Sequence, residues 1–172
     1  MLTIRPLEPA DIAPIAAAFA ALGWDKPASQ YEKYLSEQES GDRVVLVALL
    51  GVQNLQILEF AGYVTISWRS GYPSFREQNI PEIMDFNVLP QFRRQGIGSR
   101  LMDVAEQRVA NMVSMAGIGV GMTADYGTAQ RMYVKRGYVP DGRGLFSCGA
   151  PVQYGQTVAV DDDLVLYFTK NL

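Results

Sequence analysis

The sequence predicts an α+β chain, and three observations predict it. Arg43–Leu50 and Leu55–Trp68 are rich in β-branched and apolar residues and read as strands. Ile97, Leu101, Val104, Ala105, Val109 and Met112 recur at three- and four-residue spacing, the mark of a helix with one buried face. Between these regions, Asp85–Leu101 passes from an apolar strand through a short basic turn with two glycines into that helix.

Taken in order, Leu2-Thr-Ile-Arg-Pro6 alternates as a short strand ending at a proline. Asp11 caps a predicted helix to Leu22, which Gly23 closes. After the Lys26-Pro27 break a second helix is expected over Ala28–Glu37. Gly41-Asp42 turns into the strand at Arg43. Gly51–Asn54 then turns into the strand at Leu55, with Gly62 marking a bulge. Arg69–Pro81 reads as a loop and Glu82–Leu89 as a strand. Beyond the helix at Ile97 come a short strand over Gly117–Met122 and a short helix around Tyr133. Gly137 ends that helix and a strand starts at Tyr138. An excursion over Asp141–Asp163 precedes the final strand, Leu164–Thr169.

Composition narrows the chemistry. The 172 residues suit one domain, residues 1–172, with a full hydrophobic core. A net charge of −3, from 15 basic and 18 acidic residues, argues against a nucleic-acid surface. The chain has no histidine, which excludes Ser-His-Asp and Cys-His catalysis. With a single cysteine, Cys148, there is no histidine/cysteine zinc site and no internal disulfide, and no metal is expected. Acid–base work falls to carboxylates, tyrosines or lysines. The N-terminal residues lack the apolar core of a signal peptide, and Ile12–Leu22 is too short to span a bilayer, so a cytoplasmic protein with no membrane partner is expected.

The turn at Arg93 is the most informative stretch. Backbone N–H groups gather at a helix N-terminus, where the helix dipole favours an anion. Gly96 and Gly98 lack side chains that would hold a phosphate away, while Arg93 and Arg94 add positive charge. A Walker loop would need a lysine after the glycines, and none follows. A dinucleotide fingerprint would need a third glycine where Leu101 stands, and its first glycine would directly follow the strand. A glycine-rich turn with no ligand is the bland alternative. Arg93-Arg94-Gln95-Gly96-Ile97-Gly98 resembles the Arg/Gln-x-x-Gly-x-Gly/Ala loop of the GNAT superfamily of N-acetyltransferases. About forty residues on, Ala129-Gln-Arg-Met-Tyr133-Val-Lys-Arg-Gly137-Tyr138 resembles the second signature of that family.

The resemblance implies the GNAT fold: a mixed, mostly antiparallel central sheet flanked by helices. It also implies acetyl-CoA as the acetyl donor and direct transfer to an amine in a ternary complex. Val88 on the motif strand would contact the acetyl and pantetheine groups through its backbone, aided by a splay between this strand and the next. Arg93, Arg94, Gln95, Gly96, Ile97, Gly98 and Ser99 would form the pyrophosphate loop. Tyr133 would be the general acid that protonates the departing thiolate. Glu82 would be the base that deprotonates the amine, directly or through water. Asp85 is its rival, placed by strand alternation on the opposite face from Glu82, Met84 and Phe86. The family's asparagine three residues before the motif alanine is replaced here by Tyr126.

The expected acceptor is a primary amine of a small molecule. A protein or peptide amine and a non-catalytic acyl-CoA-binding module are the alternatives. Trp24, Tyr31, Tyr34, Trp68, Tyr72, Phe75 and Tyr154, with Glu32, Asp161, Asp162 and Asp163, fall in the segments that set substrate choice in the family. Aromatics with carboxylates suit a cationic amine and equally suit a plain surface. A homodimer is common in the family. Cys148, with no histidine to activate it, reads as a passive thiol.

Overall fold

The apolar runs pair into one mixed sheet because each carries one or two faces that must leave water. The computed structural model describes residues 1–51 and 58–172. The elements are β1 (Leu2–Pro6), α1 (Ile12–Ala21), α2 (Ala28–Glu39), β2 (Arg43–Gly51), β3 (Leu58–Ser67), α3 (Pro73–Glu77) and β4 (Glu82–Val88). They continue with α4 (Ile97–Ala110), β5 (Met115–Gly121), α5 (Gly127–Lys135), β6 (Val139–Ser147), β7 (Ala150–Pro151) and β8 (Leu164–Asn171). The strand order is β1-β2-β3-β4-β5-β8-β6-β7. β4 pairs with β5 in parallel at Glu82↔Gly117. The pairs β1–β2, β2–β3, β5–β8, β6–β8 and β6–β7 are antiparallel. This is the mixed, mostly antiparallel α+β sheet that the sequence predicts.

The chain forms two compact units, Met1–Ser67 with Met84–Arg108, and Trp68–Ile83 with Val109–Leu172. In the first, Leu7, Ile15, Tyr31, Val45, Val47, Phe60 and Tyr63 close around Phe19, which is fully buried. Four rings stand within ring-contact distance of Phe19: Trp24, Tyr31, Phe60 and Tyr63. The bulge expected at Gly62 is present. Ala48 faces Gly62 while Leu49 faces Phe60, which leaves Ala61 as the extra residue. A Cβ on Gly62 would stand 2.4 Å from the Asn87 carbonyl oxygen, so this glycine lets the β3 and β4 backbones approach.

In the second unit Tyr72, Phe75, Ile80 and Phe146 pack with Met115 and Tyr167. The Tyr72 and Tyr167 rings stack at 3.7 Å, 1° from coplanar. A Cβ on Gly117 would stand 2.2 Å from the Phe75 ring, so the strand has to be bare there.

Several expectations are corrected. Asp11 does not cap α1; its backbone is already helical, and its carboxylate makes no cap to that helix. It instead accepts the Glu8 N–H at 2.9 Å and hydrogen bonds from the two terminal Arg5 guanidinium nitrogens at 2.6 and 2.8 Å. The loop expected over 69–81 contains the short helix α3, started by Pro73 at a position where a missing N–H is harmless. Met112 falls beyond α4 and is exposed, while Met102 joins Ile97, Leu101, Ala105 and Val109 in the core. On α5 only Tyr133 is buried, and Val134 faces solvent. The excursion begins later than expected, because β6 runs on to Ser147 and turns through Cys148-Gly149 into β7. The turn expected over Gly51–Asn54, and the start of the strand expected at Leu55, lie largely outside the described residues.

Candidate active site

β4 ends at Val88 and a single 3-10 turn, Pro90–Phe92, redirects the chain into the basic loop. Arg94 (φ 59°) and Gly96 (φ 80°) both adopt the left-handed conformation, separated by Gln95. Left-handed residues in such a turn rotate successive N–H groups toward one side and form a concave anion site. α4 begins immediately at Ile97, and its first backbone bond runs from the Arg100 N–H to the Gly96 carbonyl at 3.0 Å. Ile97 is buried and pins the helix start, while Arg94 and Gln95 face solvent. Gly98 packs closely: a Cβ there would stand a tight 3.0 Å from Phe86 Cζ and 3.6 Å from Val88 Cγ2. Arg93 Nε donates to the Val88 carbonyl at 3.0 Å, and Gln95 Nε2 donates to the Gln91 carbonyl at 3.1 Å. Val88 and Arg93–Ser99 thus form one continuous strand–loop–helix structure. Its two left-handed residues, exposed guanidinium and helix N-terminus fit a pyrophosphate.

Tyr133 and Glu82 both lie in the second unit. Tyr133 is buried on α5, its ring edge-on to Tyr138 with centroids 5.9 Å apart. Gly137 (φ 90°) ends the helix, and the Tyr138 N–H donates back to the Tyr133 carbonyl at 3.0 Å. Burial, with a smaller contribution from Tyr126, raises the Tyr133 phenol above its ordinary range, so it keeps its proton at neutral pH. Tyr126 also fills the space under Gly121, where a Cβ would stand 2.5 Å from its ring.

Glu82 starts β4 and is buried. Its Oε2 accepts the Ser70 hydroxyl at 2.5 Å, and Ser70 Oγ in turn accepts the Tyr72 N–H at 2.9 Å. Its Oε1 lies 3.3 Å from where a Gly119 Cβ would be. Tyr167 is pushed up to about 12 by burial and, secondarily, by the Glu82 charge. Tyr72 is pushed up to about 12 by burial and by its hydrogen bond to Asp141 at 2.7 Å.

Asp85 departs from the sequence expectation in a specific way. Its φ is +45°, so the strand alternation used to rank it against Glu82 is broken at this residue, and Glu82 and Ile83 are buried consecutively. The Asp85 carboxylate accepts five hydrogen bonds. Lys26 Nζ (2.7 Å) and Asn87 Nδ2 (2.9 Å) donate to Oδ1. Gln30 Nε2 (2.9 Å), Tyr34 Oη (2.9 Å) and Tyr63 Oη (2.5 Å) donate to Oδ2. Asp tolerates the left-handed region better than most residues, and these donors hold it there. Of the five donors only Asn87 is a sequence neighbour; Lys26 is 59 residues from Asp85.

The aromatics assigned to substrate choice divide by burial. Tyr31, Tyr72 and Phe75 are core residues, Tyr34 serves Asp85, Trp68 is half-buried, and Trp24 and Tyr154 are exposed. Cys148 sits exposed at the β6–β7 turn. Among the described residues there is no group of histidine, cysteine or acidic side chains that could hold a metal ion. No helix among them is long and apolar enough to cross a membrane.

A basic, glycine-bearing loop leads from a strand into a helix, and a tyrosine-bearing helix that ends at glycine follows it, within a mixed α+β sheet. Residues 15–138 match the family model described as acetyltransferase (GNAT) family, and the chain belongs to that family. Solved structures agree on the fold. A putative GNAT acetyltransferase from Desulfovibrio desulfuricans is 13% identical, with a TM-score of 0.70 over 99% of each chain. NAA60 from Arabidopsis thaliana, solved with a bisubstrate analogue, is 14% identical, with a TM-score of 0.71 over 99% of this chain and 98% of that one. A spermidine N-acetyltransferase SpeG chimera from Vibrio cholerae and hSSAT is 15% identical, with a TM-score of 0.68 over 99% of this chain and 95% of that one. No curated protein matches the sequence.

Proposed function

We propose that residues 1–172 form one acetyltransferase domain that moves the acetyl group of acetyl-CoA to a primary amine of a small molecule, by direct transfer in a ternary complex. The observation that carries this reading is the pair of left-handed residues, Arg94 and Gly96, at the head of α4. A left-handed turn at the head of a helix suits backbone N–H donation to a pyrophosphate, and Gly98 lets the helix sit close against the strand that bears Val88. Arg93, Gln95, Ile97 and Ser99 complete the loop. The amine nitrogen attacks the thioester carbonyl, the C–N bond forms, and the C–S bond breaks to release thiolate. Tyr133, buried and protonated, gives its proton to that sulfur. Glu82, held by Ser70, takes the proton from the attacking amine, directly or through water. A cytoplasmic location accompanies this chemistry.

Calorimetric titration with acetyl-CoA, with CoA and NADH as comparators, tests the reading. Saturable binding of acetyl-CoA and none of NADH is expected, and absence of acetyl-CoA binding would remove the basis for an enzyme. With binding established, thiol release in an amine screen identifies the acceptor class. Activity confined to peptide amines would move the acceptor from small molecules to protein. Glu82→Gln should slow transfer most at acidic to neutral pH, where the acceptor amine is protonated and needs a base. An unchanged pH–rate profile would take Glu82 out of the mechanism.

A further inference from the structure

Among the five donors to Asp85, Lys26 differs from the rest. Gln30 and Tyr34 are on α2, Tyr63 is on β3 and Asn87 is on β4, so four donors are fixed by regular elements. Lys26 alone is carried by the segment between α1 and α2. Its ammonium lies 2.7 Å from Asp85 Oδ1 and 3.0 Å from Tyr63 Oη. It also lies 5.7 Å from the Phe19 ring centroid and 5.6 Å from that of Tyr63. One carboxylate, one phenol oxygen and two aromatic faces are the components by which proteins recognise an alkylammonium ion. Without the lysine side chain the carboxylate would still be oriented by its other four donors, and both rings would still be held in the core around Phe19. An open depression of about 360 Å³ adjoins Lys26, lined by alanines of α1 together with Trp24, Asp25 and Pro27.

We propose that this cradle of Asp85, Tyr63 and Phe19 is a binding site for the primary alkylammonium group of a ligand, filled in this structure by the chain's own Lys26. The lysine is a tethered occupant, and an incoming ammonium has to displace it. Tethering gives Lys26 an effective concentration on the order of millimolar or higher, which sets how strongly a free amine must compete. If the chain is the acetyltransferase proposed above, the ligand is the acceptor and the cradle reads its charge. An ammonium that donates to Asp85 keeps its proton and offers no lone pair to a thioester, so the cradle anchors the molecule and takes no part in proton transfer.

Lys26→Ala opens the position and leaves a space the size of propylamine. Propylammonium is the probe, with propan-1-ol as its uncharged counterpart, read by thermal unfolding. The Lys26→Ala protein should gain about 3 °C or more in Tm at ten times the probe's dissociation constant. Propan-1-ol should give no such gain. Lys26→Met fills the space with an uncharged chain, and Lys26→Ala with Asp85→Asn removes the carboxylate; both should lose the response. Lys26→Ser gives a second open variant should the alanine protein fold poorly. No saturable response in a folded open variant, or an equal response to propan-1-ol, would overturn the site. The acetyl-CoA titration is separate: binding of propylammonium without acetyl-CoA leaves the cradle standing and removes the enzyme reading. Binding of acetyl-CoA without propylammonium does the reverse.

Discussion

Tyr133→Phe is expected to lower turnover by about a hundred- to ten-thousand-fold, the usual range for losing a general acid. Acetyl-CoA affinity should stay close to that of the unaltered protein. The substitution removes one oxygen and leaves a ring of the same shape against Tyr138, so the buried packing on α5 survives. The stability change should stay within about 1 kcal/mol, because an O–H is deleted and nothing larger. Burial raises the Tyr133 phenol, so it stays protonated through the whole range in which an unperturbed tyrosine does, and beyond. No alkaline loss of rate below the ordinary tyrosine range should therefore trace to this residue. Steady-state kinetics of thiol release, paired with calorimetry of acetyl-CoA on the same variant, separate the two effects. Turnover preserved in the phenylalanine protein would take the tyrosine out of the proposed chemistry. Lost affinity with lost turnover would make it a binding residue.

What could be read from the sequence was what neighbours along the chain decide. Gly96 and Gly98 stand two residues apart; the left-handed turn forms at Gly96 itself, and Gly98 packs against Phe86 and Val88 on the strand just before it. Gly62 was legible as a bulge because a lone glycine in a β-branched run has few other uses. The failures have separate causes. Asp11 has the chemistry of a cap, but Arg5 and the Glu8 N–H take its carboxylate. β6 hid because Gly142 and Gly144 adopt positive φ and the ladder with β8 is irregular between Pro140 and Leu145, so the segment carried loop composition within a strand. Ranking Asp85 by alternation failed because its own φ ends the alternation. The donors that make this conformation tolerable come from α2, β3 and the segment holding Lys26, none of which the local sequence names.

Asp85→Asn should lower unfolding stability by about 3 kcal/mol, near the lower end for breaking a partly buried ion pair by removing one partner. Asparagine tolerates the left-handed conformation that Asp85 adopts, so the backbone is not the variable. The amide can present its oxygen to only one of the two donor sets. If it faces Gln30, Tyr34 and Tyr63, its nitrogen confronts Lys26 and Asn87; if it turns over, it confronts the other three. The Lys26 ammonium, on a side chain about one-fifth exposed, would lose its counter-charge in either orientation. A Tm decrease of about 6–12 °C should accompany the loss for a protein of this size. The double variant Lys26→Met with Asp85→Asn removes the stranded cation together with the carboxylate, and should recover part of the loss. A double-mutant cycle from urea unfolding reads this coupling directly. Additive single effects would mean that Lys26 and Asp85 act independently. A Tm change of less than about 2 °C on Asp85→Asn would mean that the five-donor cluster does not organise this part of the fold.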